Sequence, residues 1–430
     1  TTVRVAYSRP NFPINDNVIR NLFERNNGRR RTLGEVMQAT KNTLSSVYKL
    51  GFCLIGDPAV KMAYPEFGMK VTTVNGQSVD GNSISFKALE KITVEGEVLD
   101  VSGQLVTDFT GIVNPTVKDS KVTVTCLKNS NKDDTPAFTF TDYPNTIFIG
   151  NDSVRNGKFS FTFTVPKDIS YSNLQGKMNL YAVDTESGNE AQGNFDNFIV
   201  GGTSDTAETD TIGPEIRALY LNDTTFVDGG QVNTTPYFVA ELWDKSGVNI
   251  TGSSVGHDMM LVIDESTVLS YNLNSYYELL PGEDGTGIVK FPIPALEPGK
   301  HTAEFWVWDI LNNSTVRTFT FEVVEGLKPF LFDVIATPGI AREQVTFHLM
   351  HNRPESRMRV GIMVYDLAGR QLWKHEESGT SGLFENYTVS WDLTSGGARM
   401  RPGVYIYRAA ISTDNSKDAT KARKFIILGE

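Results

Sequence analysis

VGIMVYDLAGRQLWKHE (Val360–Glu376), WDLTSGGARMRPGVYIYRAAI (Trp391–Ile411) and ARKFIIL (Ala422–Leu428) together decide how this chain folds. Val360, Ile362 and Val364 alternate with Gly361, Met363 and Tyr365, and the run ends on Asp366-Leu367-Ala368-Gly369. Strict alternation marks a half-buried strand. The Asp can accept bonds from the turn that follows it, and the Gly supplies a positive φ at no steric cost. The spacing predicts a return strand over Gln371–Lys374, further strands at Tyr387–Trp391 and Gly403–Ile411, and a closing strand at Lys424–Leu428. Pro402-Gly403 is the turn before the longest of them. Short strands divided this often by turns bury a core only as a small β-sandwich.

Working outward, 430 residues have room for three or four domains. No apolar run approaches the ~18 residues that span a bilayer. The opening Thr1-Thr2-Val3-Arg4-Val5 is strand-like and has no leader pattern, so it reads as an internal start within a longer chain. Cys53 and Cys126 are the two cysteines, too few for a disulfide framework or a Cys-based metal site. The net charge of −11 is uneven. Residues 1–65 carry 10 basic against 4 acidic side chains, residues 331–430 carry 13 against 11, and the middle carries 17 against 36. An acidic middle repels phosphate backbones, which excludes nucleic acid as a partner.

Residues 1–65 differ from everything that follows. Asn17–Arg25 places Val18, Ile19, Leu22 and Phe23 on one helical face, with Asn15 or Asp16 as N-cap. Leu33–Leu50 repeats the pattern, and Gly51 stops it. Phe52-Cys53-Leu54-Ile55 is apolar on both faces, as in a central strand covered by helices, and Gly56-Asp57-Pro58 turns it off. Cys53 is expected to be a buried structural residue, since no base or helix N-terminus is at hand to stabilise a thiolate. Arg29-Arg30-Arg31 reads as a solvated loop. Residues 66–204 then read as a β-sandwich, with strands at 84–86, 92–98, 122–126, 159–165, 178–183 and 195–200, and with Cys126 in the core. Residues 205–213 are a linker by composition, 214–328 an Ig-like sandwich and 329–430 the terminal sandwich. An apolar residue followed by Asp, then closely by Gly or Asn, recurs at Asp100, Asp184, Asp244, Asp309 and Asp366. We read this as repeated hairpin chemistry.

Few constellations suggest chemistry. His348 and His351 are three apart on a strand and face opposite ways, so they read as surface residues and not as metal ligands. His257 and His301 have no carboxylate at ligand spacing. Asp133-Asp134 and Asp205–Asp210 lack the regular calcium-loop pattern and read as solvated turns. No phosphate-binding loop and no nucleophile elbow is present. No cofactor and no metal is expected.

Two resemblances sharpen this reading. The YDLAGR strand, the later WDL, the Pro-Gly-Val-Tyr-Ile-Tyr strand and the closing Lys-Phe-Ile-Ile-Leu resemble the C-terminal sorting domain of type IX secretion cargo, over about the last 100 residues. The family's opening Asn-Pro pair is replaced by Ala336-Thr337-Pro338-Gly339. At the other end, a strand, an aromatic-x-x-Pro step, two helices and a Gly-Asp-Pro exit resemble the end of the gingipain-type cysteine peptidase domain, which is caspase-like. In that family a His base and a Cys nucleophile precede this segment. Residues 1–65 contain no His, so the resemblance implies no catalytic residue here and a fragment that is silent alone. It implies that Tyr7 lines the primary specificity pocket, with Ala6 in place of the family's Ser, and Val5 shares that strand face as a second pocket candidate.

The implied parent is a cell-surface cysteine endopeptidase and sortase of the type IX system, associated with the outer membrane of a Bacteroidetes-type bacterium. It would remove the sorting domain from arriving cargo and pass the cargo's acyl group to water or to an amine of anionic lipopolysaccharide. Residues 329–430 would be kept as a dock onto an outer-membrane barrel partner. Two other readings fit the same residues: a secreted gingipain-like peptidase with a cleavable sorting domain, and a non-enzymatic adhesin stalk.

Overall fold

The computed structural model describes residues 8–26, 28–45, 47–128, 136–205, 210–252, 256–280, 285–413 and 416–429. The chain is multi-domain and mainly β. Two helices stand at its start, and three buried cores follow over 69–200, 221–323 and 331–427. Among the described residues, no helix is long and apolar enough to cross a membrane.

Helix α1 runs Ser8–Phe23 and α2 Leu33–Thr43. α1 starts nine residues ahead of its expected position. Pro10 sits where an N–H has no helical partner anyway, and Pro13 forfeits one bond. Asp16 is therefore no cap but an interior residue, paired with Arg20 at 3.0 Å. Ile14 is buried, Val18 and Leu22 are half-buried, and Ile19 and Phe23 are exposed. α2 begins on a capping box: Glu35 N–H donates to Thr32 Oγ1 at 3.3 Å, and the Glu35 carboxylate accepts Thr32 N–H at 2.8 Å. It stops at Leu44 and not at Gly51; a short 3-10 turn, Val47–Gly51, takes over. Asn42, Thr43 and Ser45 compete for backbone bonds and end the α-helix early.

The first β region closes on itself where a two-sheet sandwich was expected. Around the barrel the order is Lys177–Asp184, Glu190–Phe195, Phe67–Val74, Lys91–Leu99, Lys158–Thr164, Asp152–Arg155 and Gly111–Lys118, which pairs back with Lys177–Asp184. Strand Thr146–Ile149 continues the edge of Gly111–Lys118 that Asp152–Arg155 begins, and Ile84–Ala88 joins Phe198–Thr203 in a separate small sheet. Closure brings backbones together at glycines: a Cβ on Gly111 would lie 1.9 Å from Val183 O, and one on Gly193 2.2 Å from Met69 O. Cys126, expected in the core, is half-exposed just beyond Val122–Thr125. Among the described residues that strand pairs with Thr139–Asp142 alone, in a two-stranded ribbon with little core to offer.

The second β region packs a four-stranded sheet (Glu215–Leu221, Tyr237–Trp243, Thr286–Pro292, Tyr277–Leu279) on a five-stranded one built around Gly299–Trp308 and Ser314–Val323. Phe238, Phe305, Phe319 and Phe321 fill the space between them. The terminal region is the sandwich expected from its alternation. Leu331–Thr337, Val345–His351 and Tyr387–Trp391 face a sheet formed mainly by Ala419–Ile427, Gly403–Ser412, Met358–Tyr365 and Gln371–Gly379. Thr337-Pro338-Gly339 carries the chain from the first of these sheets to the second, where Ile340–Ala341 runs parallel to Ala419–Ile427. The same device occurs in each β region: Ile84–Ala88 runs parallel to Phe198–Thr203, and Gln231–Val232 to Ser314–Val323. All five hairpin aspartates accept backbone N–H groups two to four residues ahead, as at Asp366 from Ala368 (3.0 Å) and Arg370 (2.9 Å).

Gly111→Ala should cost about 1–3 kcal/mol in urea unfolding. Gly68→Ala, whose Cβ would meet only Leu99 O at 3.9 Å, should cost far less. Equal losses would show that barrel closure does not depend on the close approach at Gly111.

Candidate functional site

Tyr7 and Val5, the pocket residues expected from the sequence, lie outside the described residues, as do Asp133 and Asp134. The segment after them is described. The Gly56-Asp57-Pro58 exit folds back on the start of α2: Leu33 N–H donates to Val60 O at 2.8 Å and Gly34 N–H to Pro58 O at 2.9 Å. Residues 53–55 do not form the expected strand, and Cys53 is exposed. Phe52 forms a single β-bridge just ahead of them. The arginine triplet is no solvated loop. Arg30 and Arg25 both reach Glu66, at 2.5 and 2.7 Å, Arg31 reaches Glu24 at 2.8 Å, and Arg29 reaches Glu35 at 2.6 Å. The Arg30 guanidinium also lies 4.4 Å from the centre of the Tyr64 ring. Arg25 and Arg30 fasten the helical segment to the head of the first β region, and Arg29 and Arg31 pair within the helical segment.

The histidines are bound in pairs that sequence spacing did not show. His257 Nδ1 lies 2.6 Å from Asp168 Oδ2, a partner 89 positions away, and His301 Nδ1 lies 2.7 Å from Asp264 Oδ2. His351 is not a surface residue. Its Nδ1 accepts the Arg353 N–H at 3.1 Å, which leaves the ring proton on Nε2, 2.8 Å from Ser381 Oγ. The ring is therefore a donor to Ser381 and cannot act as its base. Burial, with the Arg353 charge nearby, pushes His351 down to about 4, so it is neutral at physiological pH.

Asp210 is likewise not in a solvated turn. Its carboxylate lies within 4.8 Å of those of Asp244 and Asp309, the sole grouping of three metal-type ligands among the described residues. Two of the recurring hairpins place Asp244 and Asp309 at the same end of the second β region. Asp244 is 6% exposed and Asp309 0%. Each spends an oxygen on its own turn: Asp244 Oδ1 accepts Ser246 and Gly247 N–H, and Asp309 Oδ1 accepts Leu311 and Asn313 N–H. Asp210 accepts the Ser246 hydroxyl at 2.8 Å. Burial raises both Asp244 and Asp309, and like charge adds to it; Asp244 is pushed up to about 6.

A raised carboxyl makes the folded state hold a proton that the unfolded chain has released. Stability therefore falls as pH rises from about 4 through 6, and the penalty is complete above 6. Asp244→Asn keeps the oxygen that accepts the turn N–H groups and removes the charge. It should stabilise the chain at pH 7.5 by roughly 1–3 kcal/mol, with the gap closing toward pH 5 in thermal melts. A gap independent of pH would sink this account of the cluster.

Residues 1–63 match the profile of peptidase family C25. At 37% sequence identity, 96% of the chain is similar to dimeric latent PorU from Porphyromonas gingivalis, with a TM-score of 0.41; the chain spans 39% of that protein's length. A tetra-tandem repeat from the extending region of a large adhesion protein matches 85% of this chain and 74% of its own, at 14% identity and TM-score 0.18. Salmonella alpha-2-macroglobulin reacted with methylamine matches 80% and 23%, at 8% identity and TM-score 0.20. No curated protein matches the chain. The chain is thus a gingipain-like, PorU-like C-terminal portion, and residues 1–63 carry the end of a family C25 cysteine peptidase domain.

Proposed function

We propose that the chain belongs to a cell-surface cysteine endopeptidase that acts as a sortase on type IX secretion cargo at the outer membrane. The carrying observation is the 37% identity to PorU along 96% of the chain, supported by the C25 match over residues 1–63. In this reading the nucleophilic Cys and the His base come from strands ahead of Thr1. The thiolate attacks the carbonyl at the cargo's sorting-domain junction, His passes a proton to the leaving amine, and the thioester is released to water or to an amine of anionic lipopolysaccharide. This chain contributes a pocket wall through Tyr7 and Val5, the β arm, and residues 329–430 as the dock onto an outer-membrane barrel partner. In this reading the nucleophile is the upstream Cys and not Cys53, since residues 1–65 hold no His to serve as its base.

The test compares the purified 430-residue chain with the native full-length protein on a fluorogenic peptide spanning a sorting-domain junction. Cleavage is expected from the full-length protein only. In that protein Tyr7→Ala should lower kcat/KM at least tenfold with an unchanged melting temperature. Cleavage by the 430-residue chain alone would overturn the silent-fragment reading. Peptide mapping of outer membranes should find Ala419–Ile427 still attached; a mature protein ending near residue 330 would make it a secreted peptidase instead. A native protein without cleavage activity would leave the adhesin stalk.

A further inference from the structure

Asp168 leaves the first β region on the segment after Lys158–Thr164 and ends inside the second. It is 8% exposed. Its Oδ2 accepts His257 Nδ1 at 2.6 Å and Asn249 Nδ2 at 3.4 Å, and its Oδ1 accepts Asn312 Nδ2 at 2.9 Å. One residue earlier, Lys167 N–H donates to Ile310 O at 2.8 Å. All the partners named here belong to the second region, on two of its loops.

Those loops are held by contacts of their own. Asn249 Oδ1 accepts Thr251 N–H at 3.0 Å and the Thr251 hydroxyl at 2.8 Å, and Asn249 N–H donates to Trp308 O at 2.8 Å. The His257 ring lies on Trp308, with centroids 4.5 Å apart. The second region thus presents a preformed polar socket, and the first inserts a carboxylate into it. The charged groups around the contact are Lys167 and Asp168 on the inserting segment, His257 and Asp258 on one loop, and Asp309 at the base of the other.

A buried carboxylate is tolerated with its donors and costly without them. Losing part of the set leaves charge and amide groups stranded, so the contact favours two states, fully seated or fully withdrawn. The seat also borders a cleft of about 750 Å³ between the same two regions. Ile310, whose carbonyl takes the Lys167 bond, lines that cleft, together with Phe148 and Ile149 of the first region and Tyr277 and Leu279 of the second. Asn151 Nδ2 donates across it to Leu279 O at 3.0 Å, a single neutral bond of about 1 kcal/mol.

We propose that Asp168 in its socket is a latch. Seated, it holds the two β regions as one body and fixes the width of the cleft; withdrawn, it releases the angle between them and the cleft opens.

Electron–electron double resonance on the whole chain tests this. Nitroxide labels go on Glu186→Cys in the first region and Thr267→Cys in the second, both exposed, with Cys53→Ser and Cys126→Ser as background. The parent should give one narrow distance distribution. Asp168→Ala should at least double its width or add a second peak. Asp264→Ala, which removes the equivalent His301 contact at 2.7 Å inside the second region, should leave it narrow. If Asp168→Ala does not fold, Asn312→Leu removes one donor and is read the same way. A narrow, unshifted distribution in the folded socket variant would overturn the latch.

Discussion

A buried charge must be met by partners, and at each junction of this chain the partners lie on the other side. Arg25 and Arg30, each with 20% of its side chain exposed, cross from the helical segment to Glu66 at the head of the first β region. Asp168 crosses into the second β region. Arg353, 1% exposed, reaches back from the terminal sandwich to the carbonyls of Leu327 at 3.0 Å and Lys328 at 3.3 Å. Apolar contact helps at the last junction, where Leu383 packs against Tyr220, Val239 and Ile288. Hydrophobic burial between regions fixes proximity but not angle; a charged group in a directed hydrogen-bond set fixes both.

What could be read from the sequence was local. The terminal sandwich was legible because alternation and turn chemistry both act within a few residues. Val360, Ile362 and Val364 are fully buried where the pattern placed them, and Asp366 and Gly369 make the turn their residue types favour. The five hairpin aspartates were legible for the same reason. Barrel closure was not, because it depends on Gly111 meeting Val183, a contact no short window contains. The Asp168–His257 pair spans 89 positions and left no periodic or compositional trace. The carboxylate cluster had a partial signal, since two recurring hairpins supplied two of its members. Only the fold could say that those hairpins share an end.

The helical segment shows how tertiary context redirects residues whose local reading was reasonable. Three successive arginines look like a solvated run, yet each has its own carboxylate. Phe52–Ile55 reads as a strand, yet residues 53–55 are irregular. Prolines that signal a break sit inside α1. The family match over this segment therefore carries more functional information than the described side chains, because the proposed pocket positions, Tyr7 and Val5, fall just ahead of them.

The parallel pairings have a mechanical consequence. In each β region a short early strand runs parallel to the last strand: Ile84–Ala88 with Phe198–Thr203, Gln231–Val232 with Ser314–Val323, Ile340–Ala341 with Ala419–Ile427. When such a region is pulled by its two ends, parallel neighbours are drawn in opposite senses along their own length. Their hydrogen bonds are then loaded together in shear, whereas a hairpin pulled at its open end gives up its bonds one by one. Resistance to force is set by the barrier to unfolding and not by equilibrium stability. Three such clamps in series make the β portion a tether that yields late under tension.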